Sequence, residues 1–153
     1  MESLERILKE LPFFAGLQPD YLTLITSCAS NVRYDAGDYI FRAGEPAQKF
    51  YLVRHGQVAV ELSSPARGTV AVDTLMEGDV LGYGWLYPPH IWSFDAHAVA
   101  MTRAIAIDAK CLLTKCESDA RFGFEMLKRF SQVIIRRLQA AQLQLLDMYG
   151  KAS

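Results

Sequence analysis

Glycines punctuate the middle of the chain at short, regular intervals, and this rhythm is the strongest constraint on its fold. From about residue 32 to 107, short runs of β-branched and aromatic residues alternate with turns at Gly37, Gly44, Gly56, Gly68 and Gly78, spaced seven to twelve residues apart. Several short strands at such a spacing are typical of an antiparallel β-sandwich or barrel. We therefore predict a β core of about seventy-five residues. Its predicted strands are 39–41, 50–54, 57–62, 69–75, 80–81 and 96–107.

Helical signals flank this core on both sides. Ser3 has the residue type of a helix cap and Pro19 of a helix start, so residues 3–29 are predicted to be helical. Asp108 is a predicted N-cap for a short helix over 110–116, and a long helix is expected over 119–149, ending at Gly150. No linker divides the sequence. We expect one domain over residues 1–153, α+β in class and mainly β.

The long predicted helix carries a narrow apolar seam. Its members alternate at steps of four and three residues: Leu127, Ser131, Ile134, Leu138, Ala141, Leu145 and Met148. Such a seam predicts a partner helix, and hence a homodimer through the 119–149 helix. A second apolar set, Leu143, Leu146 and Tyr149, fits a helix that lies on its own sandwich. The two interpretations remain open for different parts of the helix.

Composition limits the function. The 153 residues are 51% hydrophobic and 22% charged with a formal net charge of −1, which gives no global indication of nucleic acid binding. No apolar run approaches the roughly 18 residues of a membrane span, and the first residues lack the order of a signal peptide. We expect a cytoplasmic protein with no membrane partner. Cys28, Cys111 and Cys116 are odd in number and form no C-x-x-C pair, so free thiols are predicted.

The stretch from Gly78 to Ala96 has the backbone of an anion-binding turn without the charges. Gly82 and Gly84 allow backbone N–H groups to approach a bound group closely, yet no Arg, Lys or Glu lies within the stretch. Aromatic and cyclic residues are concentrated there instead: Trp85, Tyr87, Pro88, Pro89, Trp92 and Phe94. They either line a pocket for a flat ligand or fill that space as a plug, and the sequence leaves both open.

The order of these features resembles the cyclic nucleotide-binding domain of the Crp/Fnr type. The motifs that carry the resemblance are YDAGDYIFRAGEPA at 34–47, FYLVRHGQVAV at 50–60 and GDVLG at 78–82, followed by the long helix. The resemblance implies a double-stranded β-helix, or jelly roll, flanked by N-terminal helices and a long C-terminal helix. It also implies that a ligand in the roll shifts the long helix.

The resemblance also implies a site. In that family a phosphate-binding cassette carries a Gly followed by a Glu that binds the ribose hydroxyl, and later an Arg and a small polar residue that bind the cyclic phosphate. Gly82 matches the glycine, but Tyr83 stands at the Glu position and Trp92 at the Arg position, before Ser93. The apolar pocket wall corresponds to Val60, Val72 and Phe94. The candidate ligand-binding residues are Val60, Val72, Gly82, Tyr83, Gly84, Trp85, Trp92, Ser93 and Phe94.

Loss of both charged contacts argues against ordinary cAMP binding. A buried phosphate requires a paired cation, for which His90, His97, Arg121 and Arg129 are the candidate replacements. We hypothesise a non-enzymatic small-molecule sensor whose ligand the sequence does not identify. The alternatives are a ligand-free protein–protein interaction module with an aromatic-plugged roll, and a haem sensor with one histidine ligand.

Other chemistries have weak sequence support. No G-x-S-x-G elbow, phosphate-binding loop or zinc-ligand spacing occurs, so we expect neither an enzyme nor a metal site. DNA recognition in the family lies in a helix-turn-helix domain after the long helix. The sequence ends at Ser153, and we therefore expect no direct DNA binding by this chain.

Overall fold

The computed structural model describes residues 3–152, which form two compact units. The first unit ends at Lys115 and the second begins at Cys116. The first unit contains the β core and the helices that precede it, and the second consists mainly of one long helix. The expected single domain over 1–153 stays a prediction. No helix within the described residues is both long and apolar enough to cross a membrane.

Helices precede and follow the strands along the chain. The α-helices of the described chain are α1 (Leu4–Glu10), α2 (Pro19–Thr26), α3 (Ala109–Ser118) and α4 (Ala120–Ala152), with 3-10 turns at Pro12–Phe14 and Gly84–Leu86. The strands are β1 (Ala29–Tyr34), β2 (Tyr39–Phe41), β3 (Lys49–His55), β4 (Val58–Ser64), β5 (Gly68–Leu75), β6 (Val80–Leu81), β7 (Asp95–Ala98) and β8 (Thr102–Asp108).

Two four-stranded antiparallel sheets form the β core, with strand orders β1-β8-β3-β6 and β2-β7-β4-β5. In the first sheet, Phe50 pairs with Ile107 and Leu52 with Ile105, so the four side chains share one face. All four are 0% exposed. The predicted α+β class, with a jelly roll preceded and followed by helices, is confirmed.

The single strand expected over 96–107 is wrong. The chain forms β7 and β8 there, and these strands belong to different sheets. Between β7 and β8 the chain crosses from one sheet to the other. At the end of β7 the Val99 amide still donates to the Gln57 carbonyl, at 2.9 Å, before the chain pairs with β1 and β3 as β8. β1 was not among the predicted strands because its alternation is weak. Three of its six residues are hydrophobic, Ala29, Val32 and Tyr34, and they do not alternate strictly.

The predicted helix starts are confirmed at three side chains. Ser3 Oγ accepts from the Arg6 amide at 3.2 Å, Asp108 from the Cys111 amide at 2.9 Å, and Asp119 from the Phe122 amide at 3.1 Å. The predicted end at Gly150 is wrong, because α4 continues to Ala152. A glycine ends a helix when it takes a left-handed conformation, and Gly150 does not take it.

A disulfide joins Cys28 to Cys111, so the prediction of three free thiols is wrong for these two and holds only for Cys116. The cause is the sheet register. Ala29 pairs with Ile107, which brings the start of β1 beside the start of α3 across a sequence separation of 83. Disulfides are rare in a reducing cytosol, so this bond bears directly on the expected cytoplasmic location, which stays a prediction.

Reduction of this disulfide should destabilise the fold. Because the bond closes a loop with a sequence separation of 83, Cys111→Ser should lower the free energy of unfolding by roughly 4 to 5 kcal/mol through loop-closure entropy. Urea unfolding followed by circular dichroism measures this. Cys116→Ser is the matched control, with an expected change of less than about 0.5 kcal/mol. Identical urea midpoints for the wild type with and without dithiothreitol would show that the bond contributes nothing.

Candidate functional site

The stretch from Gly78 to Ala96, called the cassette from here on, connects the two sheets. It leaves the first sheet after β6, passes through the 3-10 turn Gly84–Leu86, and enters the second sheet at β7. Its residues 82–94 therefore lie where the two layers of the roll meet. This connection holds seven of the nine candidate residues, and the other two lie on β4 and β5.

The side chain of Trp92 is buried at this site. Its ring lies flat on the ring of Phe41 from β2, with centroids 3.8 Å apart and an interplanar angle of 8°. Trp92 is 6% exposed and Phe41 7%. Trp92, which the resemblance predicts to stand at the arginine position, is therefore packed inside the protein and carries no charge.

Gly82 lies directly against the indole of Trp92. A Cβ atom at position 82 would stand 2.6 Å from both Cη2 and Cζ3 of Trp92, and Gly82 also has a φ of +97°. At Gly84 a Cβ atom would stand 2.8 Å from the Ile91 carbonyl oxygen and 3.4 Å from Trp92 Cε3. The small residues that predicted a close approach to a ligand are thus in close approach to the cassette's own tryptophan.

A series of rings continues from Trp92 across the roll. Phe41 stacks on Tyr51 of β3 with centroids 6.5 Å apart, and Tyr51 meets Tyr34 of β1 edge to face at 6.4 Å. A side-chain hydrogen bond links the Tyr34 and Tyr51 hydroxyls. Burial raises the pKa of both phenols, and for Tyr51 the neighbouring Tyr34 raises the pKa further. Both groups are consequently neutral at physiological pH.

Trp85 is buried as well, at 2% exposure, and stacks on Phe50 of β3 with centroids 5.0 Å apart. Its indole Nε1 donates to the Gly82 carbonyl at 3.3 Å. His90 Nδ1 lies 2.9 Å from the Trp85 carbonyl oxygen. His90 itself has a φ of +57°. The turn of the cassette is therefore held by contacts among its own residues.

Backbone hydrogen bonds fasten the second half of the cassette to the loop after β2. The Gly44 amide donates to the Trp92 carbonyl at 2.8 Å, and the Trp92 amide donates to the Glu45 carbonyl at 2.9 Å. A third bond runs from the Ala47 amide to the His90 carbonyl at 2.8 Å. These bonds place residue 92 through its main chain, independently of its side chain.

The remaining candidate residues are not gathered around one closed space. Tyr83 and Phe94 are half-buried, and Ser93 is exposed. Val60 is half-buried on β4, where it pairs with Ala96 of β7. Val72 on β5 is 39% exposed. The structure therefore brings together Gly82, Gly84 and Trp92, and it leaves Ser93 and Val72 open to solvent.

Two of the four candidate replacement cations have acidic partners. His97 Nδ1 lies 2.7 Å from Glu61 Oε1 on the neighbouring strand β4. Arg129 Nη2 lies 3.1 Å from Glu125 within α4. Arg121 is exposed, and His90 contacts the Trp85 carbonyl. None of the contacts named here joins a cationic side chain to Gly82.

Comparison with known proteins agrees with this architecture. Residues 31–119 match the model of the cyclic nucleotide-binding domain. The CRP-like cAMP-activated global transcriptional regulator of Mycobacterium tuberculosis is 21% identical over 145 residues, which is 95% of this chain and 63% of that protein. The chain thus spans 63% of the length of this curated relative.

Solved structures show the same fold. A cyclic nucleotide-binding domain from Methylobacillus flagellatus is similar with a TM-score of 0.81 at 16% identity, covering 95% of this chain and 82% of that one. The Thermus thermophilus catabolite activator protein has a TM-score of 0.73 at 26% identity, covering 90% of this chain and 63% of that one. The family match extends over more than half of the chain and includes the cassette. The chain therefore belongs to the cyclic nucleotide-binding domain family.

Proposed function

We propose that this chain is a non-enzymatic regulatory module whose roll is filled by its own aromatic side chains, and that it acts through protein contacts without ordinary cAMP as ligand. The stacking of buried Trp92 on Phe41 against Gly82 carries this proposal. The small-molecule sensor is the competing hypothesis. It requires an open aromatic pocket, whereas Trp92 and Trp85 are both buried.

The energetics favour a filled roll. A cyclic nucleotide seated beside Gly82 would have to displace the Trp92 ring, because that ring already touches the glycine. Exposing a buried aromatic side chain of about 200 Å² costs roughly 4 to 6 kcal/mol, a penalty of about a thousandfold or more in affinity. The incoming phosphate would then find no arginine at position 92 to replace its lost hydration.

Restoring the charged residues should create nucleotide binding. We expect the wild type to give no saturable heat with cAMP or cGMP in isothermal titration calorimetry. Tyr83→Glu combined with Trp92→Arg should gain affinity by roughly 30-fold to several thousandfold, which is the worth of a buried charge contact of about 2 to 5 kcal/mol. Adenosine, which lacks a phosphate, is titrated for comparison.

The matched control is Tyr83→Glu with Trp92→Phe, which keeps a ring at position 92 and adds no cation. It should bind no better than the wild type, and circular dichroism checks that each variant retains its β structure. Micromolar cAMP binding by the wild type would overturn the proposal in favour of the sensor hypothesis. A red preparation with a Soret band would favour the haem alternative.

The contact between Gly82 and Trp92 should appear as a coupling energy in a double-mutant cycle. Gly82→Ala in the wild type meets both a left-handed backbone and the indole ring. We expect it to cost about 1 to 2 kcal/mol for the backbone conformation and roughly 1 to 3 kcal/mol more for the overlap. With Trp92→Ala present the second cost should disappear. Urea unfolding of the four proteins measures the coupling.

Gly37→Ala separates the two contributions, because Gly37 has a φ of +90° and no atom within 4 Å of its added Cβ. Its cost should equal that of Gly82→Ala in the Trp92→Ala background. Trp92→Ala alone should cost roughly 3 to 5 kcal/mol, as for other buried aromatic residues. Additive costs at positions 82 and 92 would mean that the ring does not rest on the glycine in solution.

We also propose that the module is a homodimer through α4. Its buried side chains Phe122, Met126, Phe130 and Val133 lie in the first half of the helix, and every residue from 138 to 150 is exposed. The exposed part includes Leu138 at 56% and Leu145 at 54%. An exposed apolar seam of this kind indicates an interaction surface. Leu143, Leu146 and Tyr149 are exposed too.

Leu138→Glu should therefore convert the dimer to a monomer, because it places a charge in the middle of the seam. Light scattering of the purified protein measures the mass. Gln139→Glu introduces the same charge one position along the helix, outside the seam, and should leave the mass unchanged. A wild type that is already monomeric, or a dimer that survives Leu138→Glu, would refute the seam as the interface.

A further inference from the structure

A cavity of about 400 Å³ opens beside the turn between β3 and β4, away from the cassette. Arg54, His55, Met101 and Arg103 line it. Arg54 and His55 are the last residues of β3, Met101 ends the crossing between β7 and β8, and Arg103 is the second residue of β8. Its volume falls within the roughly 300 to 1,000 Å³ of small-ligand sites.

The cavity concentrates positive charge in a chain whose formal net charge is −1. Arg103 pairs directly with Arg33 of β1 on one side and with His55 of β3 on the other. Side chains of like charge directly opposite each other destabilise a sheet. An anion from solution would relieve this repulsion between exposed arginines.

Arg33 has a counter-charge, since its Nη2 lies 3.1 Å from Asp35 Oδ1. Arg54 Nη1 donates to the neutral amide oxygen of Asn31, at 3.4 Å. In the part of the chain that the structure describes, no carboxylate lies within ion-pair distance of Arg54 or Arg103. Two guanidinium groups therefore face the cavity without acidic partners.

The walls of the cavity are held together. A Cβ atom at Gly56 would stand 2.5 Å from Thr102 Oγ1 and 2.7 Å from the Met101 carbonyl oxygen, so the turn lies directly on the crossing. Thr102 is fully buried, and its hydroxyl bridges the backbone of Gln57 and of Ala100. Arg54 and Arg103 therefore extend from elements whose relative position is set before any ligand arrives, which lowers the entropic cost of binding.

We propose that this cavity binds a small phosphomonoester, with its phosphate between Arg54 and Arg103 and an apolar part against Met101. Guanidinium groups match the oxygens of a phosphate in bidentate geometry. A phosphomonoester carries about −1.5 to −2 charges at neutral pH, enough to balance two arginines, whereas a carboxylate carries one. The site is independent of the filled roll, because none of its residues belongs to the cassette.

Isothermal titration calorimetry of the full chain at low salt, with phenyl phosphate as the probe, tests this proposal. We expect saturable binding that weakens by roughly 10- to 100-fold in Arg54→Gln and in Arg103→Gln, since each variant loses one charge-assisted contact. Arg67→Gln removes an exposed arginine of the β4–β5 turn and should bind like the wild type. Met101→Ala should weaken phenyl phosphate while leaving inorganic phosphate unchanged.

Thermal unfolding gives a second readout. Phenyl phosphate should raise the Tm of the wild type and of Arg67→Gln, but not of Arg103→Gln. Absence of saturable binding to the wild type, or equal loss in Arg67→Gln and Arg103→Gln, would overturn the proposal. Phenylacetate binding as tightly as phenyl phosphate would overturn the assignment to a phosphate. Failure on any of these grounds leaves the cyclic nucleotide titrations of the cassette variants unaffected.

Discussion

The stacking of Trp92 on Phe41 holds the two layers of the roll together at the site. Phe41 belongs to one sheet and Tyr51 to the other, so the series from Trp92 through Phe41 to Tyr51 and Tyr34 crosses the interior. The glycine at position 82 and the low exposure of Trp92 both follow from this packing. An interior of aromatic rings in contact also leaves little room for a charged guest, because a phosphate there would lose its hydration without gaining a cation.

Most of the fold could be predicted from local patterns. Glycine spacing and β-branched runs located the strands from β2 to β6, since each depends on nearby residues. The crossing at residues 99–101 was missed because the chain stays apolar there while its hydrogen-bonding partners change from one sheet to the other. The Cys28–Cys111 bond was missed for a related reason. Its partners meet only through the pairing of β1 with β8, which no spacing of cysteines reveals.

The packing of the candidate site could not be predicted from the sequence. The resemblance puts Tyr83 and Trp92 where the family carries its charged contacts, and this placement stays a prediction. Whether Trp92 lines a pocket or fills one depends on Phe41 and Tyr51, which lie on strands far away in sequence. No local signal in β2 or β3 marks these two residues as partners of a tryptophan in the cassette.

The hydrogen bonds from the loop after β2 to residue 92 have an evolutionary consequence. Gly44 and Glu45 hold the backbone of that residue through bonds that any side chain there would allow, except proline, which lacks the amide. The scaffold can thus exchange an arginine for a tryptophan without rebuilding its connections. A change of very few codons at this position can therefore alter what the interior of the roll accommodates, while its strand connections stay as they are.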